Sequence, residues 1–113
     1  MDIYQVNTLI NGKIVFDPTM PHEYTCAFAS DLMSDVLRFH MDNTILITGL
    51  STIQTLRTAE MSNITCIVFA RDKRVTEDML ELAKENHIAM ITATASMFEI
   101  SGKLYENGIK PVY

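Results

Sequence analysis

The sequence predicts an α/β domain with a mixed, mainly parallel sheet flanked by helices. Three observations carry this reading. Short apolar runs recur at Thr44 to Thr48, Thr65 to Ala70 and Ala89 to Ala93. Each is followed within a few residues by a Ser or Thr able to cap a helix, which is the pattern of consecutive βα units. The chain has 113 residues, 48% hydrophobic and 20% charged, enough for one core, so residues 1–113 read as a single domain.

The elements follow in order. Tyr4 to Ile10 and Lys13 to Phe16 read as an N-terminal hairpin over residues 3–16, joined by Asn11-Gly12. That dipeptide tolerates positive φ at both centres of a type I′ turn. Asp17-Pro18 ends the second strand, Pro18 and Pro21 bracket a loop, and Tyr24 to Ala29 forms a further strand. βα units then run from about 24 to 108. A helix capped by Ser30 would carry Leu32, Val36 and Phe39 on one face and Asp31, Ser34, Asp35 and Arg38 on the other. After Ser51 the apolar stripe is Ile53, Leu56 and Ala59; after Thr76 it is Met79, Leu80 and Ala83; after Ser96 it is Met97, Ile100 and Leu104. Gly108 stops the last helix, and Pro111 follows it.

Composition narrows the function classes. A formal charge of −5 argues against sequence-independent binding to nucleic acid or an anionic membrane, both of which need a basic field. No apolar stretch approaches the roughly 20 residues that span a bilayer. The start MDIYQVN lacks the basic and apolar regions of a signal peptide. We expect a cytoplasmic protein. Cys26 and Cys66 are too few and too far apart for a zinc site and read as free thiols in apolar runs. His22, His40 and His87 show no ligand spacing, so no metal and no cofactor are expected. No Ser or Cys stands in a nucleophile pattern with a His, and the chain reads as no enzyme. Asp31 and Asp35 read as a solvated face that compensates a helix dipole.

In a parallel sheet, ligands bind at the edge where the strands end. That edge collects Thr48-Gly49-Leu50-Ser51-Thr52, Arg71-Asp72-Lys73-Arg74 and Thr92-Ala93-Thr94. Gly49 lets backbone approach a ligand, Ser51 and Thr52 offer hydroxyls and amides at a helix start, and Arg71 and Lys73 neutralise an anion. The candidate ligand-binding residues are Thr48, Gly49, Ser51, Thr52, Arg71, Lys73 and Thr94. A turn of this composition also serves plain helix capping, and neither GxGxxG nor a phosphate-loop lysine is present.

Four stretches carry a family resemblance: Ser30 to Leu37 (SDLMSDVL), Ile47 to Met61 (ITGLSTIQTLRTAEM), Ile67 to Thr94 and Met97 to Gly108. Together they resemble a DRTGG domain, especially the small stand-alone members often encoded near iron hydrogenase subunits. The family is similar in fold to the N-terminal domain of HPr kinase/phosphorylase and occurs as an insert between the CBS domains of certain pyrophosphatases. In those settings it accompanies enzymes without supplying their active sites. The naming pentapeptide does not occur here. Thr48-Gly49-Leu50 stands at the family's Thr-Gly turn, and Arg71-Asp72-Lys73 replaces a Gly-rich turn after the next strand.

The resemblance implies a non-catalytic regulatory or ligand-sensing domain, with a nucleotide or other anionic metabolite as the partner at the strand C-terminal edge. The alternative is a protein-interaction or assembly module serving a redox, hydrogenase-type enzyme complex. Sheet edges and a Met-rich apolar composition also give a short chain reason to self-associate, and a homodimer is expected.

Overall fold

The structure, a computed structural model, describes residues 1–20 and 22–113; the expectation for Pro21 lies outside the described residues. Among the described residues six strands form one sheet: β1 (Lys13–Phe16), β2 (Cys26–Ala29), β3 (Thr44–Thr48), β4 (Cys66–Phe69), β5 (Ala89–Thr92) and β6 (Lys110–Pro111). Their order is β1-β5-β4-β3-β2-β6. β1 runs antiparallel to β5, and every other pair is parallel. The same residues form five helices: α1 (Ile3–Leu9), α2 (Met33–Val36), α3 (Ile53–Met61), α4 (Glu77–Asn86) and α5 (Met97–Glu106).

Strand alternation divides the core into two layers. Ile45, Ile47, Cys66, Val68, Ala89 and Ile91 point to one face, where they pack with Ile3 and Val6 of α1 and Ile100 and Leu104 of α5. Leu46, Ile67, Phe69 and Met90 point to the other, against Met33 and Val36 of α2, Leu56 and Ala59 of α3, and Met79 and Ala83 of α4. All residues of β3 and β4 are buried. That double burial explains why the central strands are continuous apolar runs rather than alternating ones.

The expected N-terminal hairpin is corrected. Residues 3–9 form α1, and only Lys13–Phe16 is a strand. Asp2 caps the helix in a reciprocal box, its side chain accepting from the Gln5 amide while the Gln5 side chain accepts from the Asp2 amide. Ile3, Val6 and Ile10 fall at helical spacing and are buried. Asn11-Gly12 ends this helix. The Gly12 amide donates to the Asn7 carbonyl (2.9 Å) and the Asn11 amide to the Thr8 carbonyl (3.3 Å), with Asn11 left-handed at φ 54°. Gly12 is needed for space: a Cβ there would lie 2.7 Å from Ile91 Cγ2 and 2.8 Å from Asn7 Oδ1.

Other local expectations divide. Thr76 and Ser96 cap α4 and α5 through the Met79 and Glu99 amides. Gly108, at φ 101°, turns the chain out of α5. The helix expected after Ser30 shrinks to the single turn of α2, whose N-cap is Leu32 with no side-chain hydrogen bond. Leu32 and Leu37 are exposed, while Met33 and Val36 form the buried face. α3 is capped at Thr52 rather than Ser51, also without a side-chain bond. No helix among the described residues is long and apolar enough to cross a membrane.

Two expected outcomes follow from this packing. Gly12→Ala must displace Ile91 or the α1 exit and should lower stability by about 1–3 kcal/mol, read as a drop in the urea midpoint. Cys66 is fully buried, and that burial pushes its thiol up from 9.0 to about 12. The folded protein then keeps a proton that the unfolded chain releases, so this stabilisation is complete below about pH 9 and is lost as pH rises towards 12. Urea midpoints measured from pH 8 upward should fall, and Cys66→Ala should flatten the decline.

Candidate functional site

Parallel register brings the loops together. Ala29 pairs with Ile47 and Thr48 with Phe69, and Phe69 pairs in turn with Thr92. Residues 30–31, 48–52, 70–74 and 93–95 therefore meet at one edge. β2 to β5 stand in sequence order, so no reversal of winding opens a crevice between them.

The centre of this edge is a carboxylate that sequence spacing had assigned to a solvated helix face. Asp31 precedes α2, and its Oδ1 accepts two hydrogen bonds, from Thr48 Oγ1 at 3.0 Å and from the Gly49 amide at 2.6 Å. Its Oδ2 lies 3.9 Å from Arg71 Nη2. Thr48 is fully buried, and its hydroxyl also accepts from the Leu50 amide at 3.1 Å, which fixes the turn. Asp31 and Arg71 are half exposed, at 50% and 54% of their side-chain surface. Three donors of different kinds, an amide, a hydroxyl and a guanidinium, thus converge on one anionic group.

Gly49 is needed here for close approach. A Cβ at Gly49 would overlap the Arg71 guanidinium, with Cζ and Nε both at 3.2 Å. Arg71 and Asp72 are both left-handed, at φ 64° and 56°. Side-chain-bearing residues pay about 1 kcal/mol or more for such a conformation. It is held because the Arg71 amide donates to the Ala95 carbonyl (2.9 Å) and the Asp72 amide to the Ala93 carbonyl (2.8 Å). These bonds stitch the loops after β4 and β5 into one surface. The backbone thus keeps a glycine-like path without a glycine.

Of the expected site residues, Thr48, Gly49 and Arg71 converge on Asp31. Ser51 turns away, its hydroxyl donating to the Arg74 carbonyl and lying 3.8 Å from Met79 Sδ. Thr52 Oγ1 lies 3.4 Å from Thr55 Oγ1, beside the α3 start. Lys73 is half-buried and Thr94 exposed on the two stitched loops, and neither makes a side-chain hydrogen bond to the cradle among the described residues. Asp31 is the member that spacing missed, because its contact runs across the β2–β3 pairing and not along a helix. The expected pairing of Asp31 with Asp35 on a helix face is corrected: Asp31 is outside α2.

A wider cleft of about 620 Å³ lies at the opposite edge, lined in part by Tyr4, Asp17, Met20, His22 and Tyr24. Several of its polar groups are already engaged. Tyr4 donates to Asp17, His22 Nε2 lies 3.1 Å from Thr65 Oγ1, and Tyr24 donates to the Thr65 carbonyl at 3.4 Å. Among the described residues no group of three His, Cys, Asp or Glu side chains could hold a metal ion.

No protein-family model matches the sequence, and no curated protein matches it. The fold is similar to a crystal structure of the CBS and DRTGG domains of the regulatory region of Clostridium perfringens pyrophosphatase, complexed with its activator diadenosine tetraphosphate. The TM-score is 0.75 at 14% identity, over 91% of this chain and 45% of that one. The chain spans less than half the length of that structure, and the likeness establishes a DRTGG-like α/β fold.

The cradle makes a specific prediction. Gly49→Ala should push the Arg71 guanidinium away from Asp31, and because a half-exposed, flexible side chain gives way, stability should change by less than about 1 kcal/mol. Denaturant titration checks it; a loss of several kcal/mol would show that the guanidinium is locked.

Proposed function

We propose that this protein is a non-catalytic regulatory domain that senses a nucleotide or other anionic metabolite at the edge where β3 and β4 end. The observation that carries the reading is the convergence of the Thr48 hydroxyl, the Gly49 amide and the Arg71 guanidinium on a single carboxylate. Donors arranged for a carboxylate also suit a phosphoryl oxygen. Lys73 and Thr94, on the adjoining loops, extend the donor surface. Ser51 and Thr52 lead into the first turn of α3, whose free amides and positive dipole end favour negative charge. The structural neighbour is a regulatory region crystallised with a nucleotide activator, which supports the same class of role.

Thermal unfolding with added diadenosine tetraphosphate, ATP or AMP tests the reading. A ligand bound only by the folded state adds about 2.7 kcal/mol at 100 times its Kd. Arg71→Gln and Gly49→Asp, each confirmed folded by circular dichroism, should weaken binding by about tenfold or more, since each removes or opposes a charge-assisted contact. No stabilisation by any of the three nucleotides would defeat it.

The alternative reading, a protein-interaction or assembly module of a redox enzyme complex, has one observation on its side. Phe98 and Tyr105, seven positions apart on α5, are 89% and 69% exposed. Such aromatics are enriched at interfaces. This reading expects no nucleotide-dependent stabilisation, so the same measurement separates the two.

A further inference from the structure

We propose that Asp31 is an internal occupant of the anion cradle, a carboxylate latch that holds the β2–α2 loop against the β3–α3 turn until an anionic ligand displaces it. This rests on the anion-sensing reading and adds its regulation.

Asp31 Oδ1 takes both the Thr48 hydroxyl (3.0 Å) and the Gly49 amide (2.6 Å), and Oδ2 faces Arg71. The Gly49 amide has a single hydrogen to give, so an incoming oxyanion and Asp31 cannot share it. Binding to the full donor set is therefore an exchange of one anion for another. The hold is also modest: the Asp31–Arg71 pair is half exposed and 3.9 Å long, the class of pair that contributes little in water. A ligand carrying several negative charges would compete favourably for the same guanidinium and amide.

The element attached to Asp31 is suited to move. α2 has only four residues, its N-cap Leu32 makes no side-chain hydrogen bond, and Leu32 and Leu37 are exposed. Met33 and Val36 anchor it in the core layer it shares with α3, and the Ser62 hydroxyl donates to the Val36 carbonyl at 3.4 Å. The Ser30 hydroxyl accepts from the Leu32 amide at 3.0 Å and keeps the loop compact while Asp31 is seated. Displacing Asp31 removes the cross-strand tie, so residues 30–38 would loosen on ligand binding. That movement is the signal a regulatory domain needs.

Calorimetric titration of the wild type, Asp31→Asn, Asp31→Ala and Asp35→Asn with diadenosine tetraphosphate tests the latch, with circular dichroism to confirm folding. The two Asp31 variants should bind at least about tenfold tighter, within the usual range of coupling between two competing events. Asp35→Asn removes a nearby charge that does not touch the cradle and should change affinity by no more than about twofold. Hydrogen exchange of the wild-type protein should rise over residues 30–38 when the nucleotide binds; this measurement decides the matter should both Asp31 variants misfold. Asp31 variants that bind no tighter than wild type, an equal gain in Asp35→Asn, or unchanged exchange would overturn the latch and leave anion sensing standing. Binding by none of the four proteins would overturn the anion-sensing reading, and the latch with it.

Discussion

Burial of β3 and β4 on both faces is the constraint from which the rest of the structure follows. Leu46, Ile67 and Phe69 fill one layer and Ile45, Ile47 and Val68 the other, each at most 1% exposed. Each such side chain contributes about 1.5–3 kcal/mol on leaving water, so neither face can be left uncovered. Helices must therefore lie on both sides, and strands flanked by helices are joined by crossovers rather than hairpins. α2, α3 and α4 cover one face as the chain steps from β2 to β5, while α5 returns over the other face to reach β6. Parallel crossovers deliver every strand-to-helix loop to one edge. The position of the candidate site is thus a consequence of core burial, before any functional side chain is considered.

At that edge, backbone and side chains work against local preference. Arg71 and Asp72 adopt a conformation that residues with a Cβ avoid, and the bonds to Ala95 and Ala93 hold them there. Gly49 carries no Cβ, which is what lets the Arg71 guanidinium lie over the turn and reach towards Asp31. Strain in one loop and space in the next have the same outcome: a cation, an amide and a hydroxyl are brought to a common point.

The same physics decides what the sequence revealed. β3, β4 and β5 were legible because doubly buried strands are short, apolar and bounded by turn residues, and α4 and α5 because Thr76 and Ser96 are true caps. The N-terminus was misread because Tyr4, Val6 and Ile10 fit a period of two about as readily as Ile3, Val6 and Ile10 fit a helical one. The capping pair Asp2 and Gln5 carried the deciding signal. Asn11-Gly12 was a true break whose type was mistaken, since a helix exit and a hairpin turn both favour Asn at positive φ. Of the candidate site, Thr48, Gly49 and Arg71 were legible as strand-end residues of suitable chemistry. Asp31 was not, because its partner lies across a strand pair whose register no local pattern encodes.

The exposure of this cradle bears on the kind of function it can support. Catalysis by charge stabilisation needs donors fixed in a water-excluded site, where electrostatic interactions are strong. Here the guanidinium and the carboxylate are each about half exposed, at 54% and 50%. A half-exposed site of this kind accords with the recognition role proposed above. A sensing domain needs two arrangements of similar free energy, because a ligand can shift an equilibrium only by its differential affinity for the two states. For the proposed sensing role, a weak, exposed ion pair attached to a one-turn helix would keep that difference small, whereas the doubly buried sheet beneath it holds the donors in place.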